Sequence, residues 1–401
     1  MAKKEKITVQ GTGINLQSSQ RIVSLRFLLI IMVVFAHANV TEVNFTGGTQ
    51  SFEIPNYAQF IRFAISDVIA RCEVSVFFFI SGLLLYSKMY SFSEVFSRRT
   101  KSILLPYILW NLLVVGMFFV MQSFSFTEAY FSNPDNLIRN YGFIDWIDVF
   151  WGKLTATRNG YPMIVQFWFL RDLYIMSLLC YGIKWIIDKA PIAVLVAMIL
   201  VWIGNVELYI VSPRALLFFS LAYYAVKYGK QIETVDVIPF KVLIPIYMVT
   251  IFTQSYLYFH EVKLNSMSIF TVISGGGEGF SYEITKMLLH ATNVALGFIF
   301  LWRISAVFIR HERLYNVLAW LSAFNFFVYA THEPLLTMVH KIMAKYIPME
   351  GVWFLLQYFA LAGGIICATL VAGVLVKRFL PRPYAILTGG RLNPFFVGLR
   401  R

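Results

Sequence analysis

The sequence predicts an all-α fold: a polytopic integral membrane helical bundle of about ten transmembrane helices, with both termini in the cytoplasm. Three observations predict it. The 401 residues are 58% hydrophobic and 14% charged, with a mean hydropathy of +0.67. A soluble domain is nearer half apolar and about a quarter charged, and no single soluble core of this length absorbs the excess. The apolar residues lie in continuous runs, not in the alternation a membrane barrel requires. The formal charge of +13 is unevenly distributed along the chain. Together these exclude a disordered chain, a disulfide scaffold and an ordinary soluble enzyme.

A bilayer core is roughly 30 Å thick, so a spanning helix needs about 20 apolar residues. Ten runs are read as spans, at 22–41, 64–86, 102–122, 166–187, 191–207, 213–229, 241–259, 285–304, 318–340 and 352–376, the fifth and sixth being short. With the N-terminus inside and the spans alternating, 22 of the 34 Lys and Arg fall in cytoplasmic segments, 9 fall outside, and Arg26, Arg71 and Arg171 remain within helices. This asymmetry sets the topology, and the positive charge is no nucleic-acid footprint. Residues 1–20 form a cytoplasmic N-terminal segment, 21–376 the transmembrane domain and 377–401 a basic cytoplasmic tail. Cleavage of the first run as a signal peptide is disfavoured, although Ala36-His37-Ala38 imitates a cleavage site, because Arg26 interrupts the apolar stretch.

Cys72, Cys180 and Cys367 lie in apolar runs and read as buried free thiols. The long outer loop, about 123–165, carries Tyr130, Phe131, Tyr141, Phe143, Trp146, Phe150 and Trp151 with Asp135, Asp145 and Asp148. Such residues suit either sugar binding or interfacial anchoring, and anchoring is the default. The stretch Ile273 to Gly279 has no Lys and no following Ser or Thr, so it reads as a hinge rather than a phosphate loop.

Ionisable groups inside a span are costly and are functional candidates. Arg26 and His37 are eleven residues apart on the first helix, just over three turns, hence on one face about 16 Å apart. Ile30, Val33 and Val34 lie between them on that face. The second helix carries Arg71 one turn from Asp67, then Glu73, and deeper the small pair Ser81-Gly82, which permits either close helix packing or the passage of a thin ligand. Trp168, Arg171 and Asp172 open the fourth helix. The ninth carries His332 and Glu333 beside Pro334, where a kink is expected. Arg71, Glu73, Arg171, Asp172, His332 and Glu333 thus fall at the depth of His37 and suggest a polar cavity.

These runs together resemble the acyltransferase-3 family of membrane acyltransferases. Arg26 and His37 match its Arg-x10-His signature, and Phe78-Phe79-Ile80-Ser81-Gly82 matches its Phe-Phe-x-x-Ser-Gly element. Arg98-Arg99 leading to Ile103-Leu104-Leu105-Pro106-Tyr107, the stretch Trp168 to Leu173, and Tyr329-x-x-His332-x-Pro334 look like its remaining elements, in the expected order from about 20 to 380. Lys101 stands where an arginine is common. The resemblance implies transfer of an acyl group, usually acetyl, from cytoplasmic acetyl-CoA to a hydroxyl of an extracytoplasmic glycan of the O-antigen, exopolysaccharide or capsule type. The acceptor is a glycan or lipid-linked oligosaccharide. The setting is the bilayer of the bacterial inner membrane, and separate polysaccharide-assembly proteins are possible partners. No metal and no nucleic acid are expected. The chain leaves no room for the added hydrolase-like domain of some members, so it looks like a stand-alone member.

On this reading CoA phosphates are held by Arg98, Arg99, Lys101 and Arg26, the form of contact at which arginine excels. The pantetheine arm passes Ser81-Gly82. His37 takes the hydroxyl proton, with Glu73, Asp172 or Glu333 as alternative orienting carboxylates, or acts through an acyl-histidine relay. Arg71, Trp168, Arg171 and His332 are read as acceptor-binding. A secondary transporter or glycan flippase is the competing reading. The absence of an internal repeat and of paired broken helices weighs against it. A cytoplasm-facing enzyme acting on a small molecule is a third.

Overall fold

The structure, a computed structural model, describes residues 14–38, 41–45, 48–131, 137–155, 158–260, 280–347 and 350–390. Asp135, the stretch 273–279 and the basic residues beyond 390 lie outside the described residues. The first helix, α1 (Leu16–His37), starts where the Asn15 side chain accepts the Ser18 N–H at 2.7 Å. A short antiparallel hairpin, β1 (Glu42–Phe45) and β2 (Gly48–Ser51), follows it. Next come α2 (Asn56–Tyr86) and α3 (Phe92–Met121). The outer loop contributes a short helix, α4 (Phe143–Trp151). The remaining helices are α5 (Trp168–Lys189), α6 (Pro191–Ile203), α7 (Pro213–Lys227), α8 (Phe240–His260), α9 (Phe280–Arg310), α10 (Glu312–Ser322), α11 (Asn325–Tyr346), α12 (Gly351–Phe379) and α13 (Pro381–Leu387).

Each of the ten predicted runs falls on a helix, but not all are independent spans. Among the described residues six helices are long and apolar enough to cross a membrane (α1, α2, α3, α8, α9 and α12), or eight if each of two bent pairs counts as one span. The pairs are α5–α6, bent by 120°, and α10–α11, bent by 61°. At 1.5 Å per residue, α6 with 13 residues and α7 with 15 are too short to cross alone. Counting apolar runs sees hydrophobicity but not where a helix turns back. The bend before α11 lies at Ala323 and Phe324, and α11 continues as helix through Pro334.

α1 sits centrally, packed on α2, α9, α10, α11 and α12. Its Arg21 end is pinned by charge: the Arg21 guanidinium pairs with Asp236, and the Ser18 hydroxyl donates to Glu233 at 2.9 Å. Gly82 lies where α2 crosses α7. A Cβ there would stand 2.6 Å from the Phe219 carbonyl oxygen and 2.9 Å from the Ala222 Cβ. Two π-helical turns interrupt the long helices, at Ala64–Ile69 in α2 and Thr100–Leu104 in α3. The second lies where the Pro106 ring would clash with the carbonyl of residue 102 in a regular helix, so the widened turn accommodates the proline.

α4 exposes Phe143 at 80% and Ile144 at 59%. Its acids are used structurally: Asp145 accepts the Gly142 N–H at 2.9 Å, and the buried Asp148 accepts the Leu154 and Thr155 N–H groups, both at 2.8 Å. Beyond α12 the chain does not trail away: Tyr384 is fully buried, and the Trp110 indole N–H donates to the Leu387 carbonyl at 2.9 Å. Cys72 and Cys180 are buried free thiols, whereas Cys367 is exposed on the outer face of α12, a correction to the expectation that all three are buried.

Candidate active site

A cavity of about 1360 Å³ opens among the helices at the His37 end of α1. It reaches down α1 to Val33 and is lined by His37, Arg71, Glu73, Trp168, Arg171 and Asp172. Six of the residues singled out from sequence therefore come together, although they arise from α1, α2 and α5. Arg26 is not among the lining residues. The face between it and His37 is packed, with Ile30, Val33 and Val34 all buried.

Local structure explains the convergence on α2. Its π-turn is followed by a 3-10 turn, Ala70–Cys72, and the charged side chains cluster at these irregular turns. Asp67 bridges Arg62 at 3.0 Å and Arg71 at 2.5 Å, the latter being the predicted one-turn pair. Glu73 is 4% exposed, and its Oε2 has no hydrogen-bond partner among the described residues. On α5, Arg171 pairs with Asp172 at 3.2 Å and also donates to the Trp151 and Gly160 carbonyls. The Asp172 Oδ2 accepts the Ser212 N–H at 2.7 Å. Asp172 is thereby saturated by structural partners.

His332 does not line the cavity but stands behind His37, with ring centroids 5.4 Å apart. Its Nδ1–H donates to the Tyr329 carbonyl at 2.8 Å, which leaves Nε2 as an acceptor. That Nε2 is buried and unpartnered. The Gln166 side chain lines the cavity, is buried, and has an unpartnered Oε1. Glu333, the third candidate carboxylate, is not among the lining residues. Its oxygens accept from Thr337 on its own helix, both at 3.0 Å.

The CoA candidates lie at the other end of the bundle. Arg98 and Lys101 are exposed and Arg99 half-buried, with the Arg98 guanidinium 4.3 Å from the Tyr90 ring centroid. Ser81 is half-buried, while the close approach of α7 gives Gly82 a packing task.

The structure adds residues that sequence reasoning missed: Arg62, Lys153, Gln166, Arg214, Gln254, Lys286 and His290 also line the cavity. Lys286 and His290 carried a signal, being one helical turn apart at the start of a predicted span. Arg214 carried none, because it stands second in its predicted run, in the first turn of α7, and looks like an ordinary helix-end charge. In the outer loop, burial pulls the Lys153 amine below its usual pKa, and its ammonium donates to the Leu208 carbonyl at 2.9 Å.

Fold and cavity define a multi-pass membrane protein with a histidine-containing polar chamber between its helices, an arrangement that serves membrane transferases and carriers alike. The chain belongs to the acyltransferase-3 family: the family model described as an acyltransferase domain matches residues 21–377. It is also similar to the succinoglycan biosynthesis protein ExoH of Rhizobium meliloti (strain 1021), with 26% identity over 390 residues, covering 93% of this chain and 92% of the relative. No solved structure matches the chain.

Proposed function

We propose that this protein transfers an acetyl group from cytoplasmic acetyl-CoA to a hydroxyl of an extracytoplasmic polysaccharide or its lipid-linked precursor, in the bacterial inner membrane. Family membership supplies acyl transfer, and the succinoglycan-related relative points to a polysaccharide acceptor. One observation carries the acceptor chemistry. The cavity beside His37 presents two buried acceptors with no donor, Glu73 Oε2 and Gln166 Oε1. A buried acceptor without a donor costs about 1–3 kcal/mol, and the hydroxyls of a sugar are the donors that relieve it.

The chemistry follows from the histidines. The His37 imidazole takes the proton of the acceptor hydroxyl as its oxygen attacks the thioester carbonyl carbon. The carbon–sulfur bond breaks, the CoA thiolate takes the proton back from His37, and the products are the acetyl ester and CoA thiol. His332, fixed in one tautomer by the Tyr329 carbonyl, packs its ring against His37 with centroids 5.4 Å apart and limits by contact the orientations that imidazole can take. This assigns to an imidazole the orienting task that the sequence left open among three carboxylates. Glu73 retains the free carboxylate oxygen and binds the acceptor. At the other end Arg98, Arg99, Lys101 and Arg26 hold the CoA phosphates.

The test uses the full chain in nanodiscs with radiolabelled acetyl-CoA and membrane glycan. In His37→Ala, label transfer to glycan falls to background while CoA binding persists. Full transfer by that variant refutes the assignment.

A further inference from the structure

Two residues of the chamber wall, Gln254 on α8 and His290 on α9, end a chain of hydrogen bonds that begins deeper between those helices. Thr250 lies one turn before Gln254 on α8, and Asn293 one turn beyond His290 on α9. Asn293 is fully buried. Its Nδ2 donates to the Thr250 carbonyl at 3.1 Å and to Gln254 Oε1 at 2.6 Å, and its Oδ1 accepts from the Thr250 hydroxyl at 2.8 Å. Gln254 Nε2 then meets His290 Nδ1 at 3.4 Å.

The direction of the chain is fixed at its buried end. A backbone carbonyl only accepts, so the Asn293 atom that faces it is the amide nitrogen. The second hydrogen of that nitrogen goes to Gln254 Oε1, which turns the Gln254 NH2 towards His290. Nδ1 of the ring therefore accepts, and the ring proton sits on Nε2. Polar side chains between spans commonly hold helices together. That task explains the Thr250–Asn293 pair, but it does not require a histidine at the chamber end.

His290 also lies at the end of the bundle where transfer is proposed. Arg303, 13 residues or about 20 Å further along α9, shares Asp236 with Arg21, and Arg21 is 16 residues or about 24 Å from His37 along α1. Both rings thus stand far from the Asp236 end. The orphan chamber oxygens, Glu73 Oε2 and Gln166 Oε1, accept. A sugar hydroxyl both gives and takes a hydrogen bond, and His290 Nε2–H is a neutral donor of fixed direction for its lone pairs.

We propose that His290 binds the acceptor, its Nε2–H donating to an oxygen of the sugar that bears the acylated hydroxyl, and that Asn293 and Gln254 are positioning residues that keep the proton on that nitrogen. This rests on the transfer reading and adds a residue that selects the acceptor in the same chamber.

The experiment uses the full chain in nanodiscs with nitrogen-15 histidine, the His290 signals being identified by their loss in His290→Gln. In wild type the NMR shifts are expected to show Nε2 protonated and Nδ1 bare, and extracted membrane glycan, added without acetyl-CoA, shifts the Nε2 signal. In Asn293→Asp the tautomer reverses. A buried acid gives its one hydrogen to the Thr250 carbonyl, so the Gln254 amide turns over to donate to the other oxygen and offers Oε1 to His290. Transfer is then followed at saturating radiolabelled acetyl-CoA over a series of glycan concentrations. The concentration giving half-maximal rate is expected to rise about tenfold in His290→Phe and in Asn293→Asp, the scale of one hydrogen bond, with the maximal rate little changed. It returns towards wild type in His290→Gln, whose amide N–H replaces Nε2–H. The proposal is overturned by a wild-type ring protonated on Nδ1, by an Nε2 signal that glycan does not move, by half-saturation unchanged in His290→Phe, or by a loss of maximal rate alone. The wild-type shifts decide the tautomer even where Asn293→Asp fails to fold. A glycan-dependent Nε2 shift in a wild type that transfers no label would instead remove the transfer reading and leave His290 as a glycan-binding residue.

Discussion

Replacing Asp172 separates a structural carboxylate from a chemical one. Asp172 is fully buried, with one oxygen on the Arg171 guanidinium at 3.2 Å and the other on the Ser212 N–H at 2.7 Å. The Arg171 side chain is itself 7% exposed. Asp172→Ala strands a buried guanidinium and leaves a backbone N–H without its acceptor. Breaking a buried pair from one side costs about 3–5 kcal/mol. With an unfolding entropy of about 2.1 cal/mol/K per residue over the whole chain, that is a fall in Tm of roughly 4–6 °C. Asp172→Asn keeps an oxygen for Ser212 and loses less. The double replacement Arg171→Met with Asp172→Leu recovers much of the loss, because it removes both charges together. The assay is thermal unfolding in one detergent for wild type, both single Asp172 variants and the double variant. A Tm unchanged in Asp172→Ala, with transfer abolished, would refute the structural assignment and restore Asp172 as a candidate partner of His37.

Other expectations follow from the same contacts. Gly82→Leu destabilises the crossing of α2 and α7, by about 1–3 kcal/mol if the core yields, because even its Cβ meets the Phe219 carbonyl at 2.6 Å; thermal unfolding reads this, and wild-type Tm would contradict the packing role. The double variant Arg98→Ala with Arg99→Ala raises the KM for acetyl-CoA with little change in kcat, and unchanged CoA affinity at low salt would argue against the phosphate site. His332→Gln lowers kcat by on the order of a hundredfold, the scale of a misplaced catalytic group, while CoA binding holds; a kcat at wild-type level would remove His332 as the positioning residue.

Much of the site was legible because charge inside a span is conspicuous. His37, Arg71, Glu73, Arg171 and Asp172 were each found by asking why a costly group sits in an apolar run, and the cavity unites them. The same rule singled out Glu333, yet adjacent residues on a helix point about 100° apart, as 3.6 residues per turn requires. His332 faces His37, while Glu333 turns to Thr337. Arg214 and Gln166 escaped because they lie outside the apolar runs' interiors, where polar residues attract no attention. A hydropathy run records no geometry: the 120° turn between α5 and α6 falls at the break between the fourth and fifth predicted runs, but its angle was not legible there. In the loop before α5, Asp145 and Asp148 each accept backbone N–H groups, a local capping task that their place among aromatic residues did not reveal.

The π-turn of α2 links the fold to the site. A π-turn costs regular helix hydrogen bonding and persists only where surrounding structure holds it. Here the holding group is Ser66, 2% exposed, whose hydroxyl donates to the Phe35 carbonyl at 2.6 Å and accepts from the Tyr358 hydroxyl at 2.8 Å. Phe35 lies in the last turn of α1, where carbonyls lack intrahelical partners, and two residues before His37. One hydroxyl therefore satisfies an otherwise poorly paired carbonyl at the end of α1 and ties α1 to α2 and α12. It also sets the register between His37 and the Asp67–Arg71 pair. A regular helix through 64–72 would rotate Arg71 and Glu73 relative to Asp67 and Arg62, since each residue inserted in a turn shifts the following side chains by about 100°. The irregular backbone is thus the means by which two helices that pack as ordinary spans present one histidine and four charged groups to the same chamber.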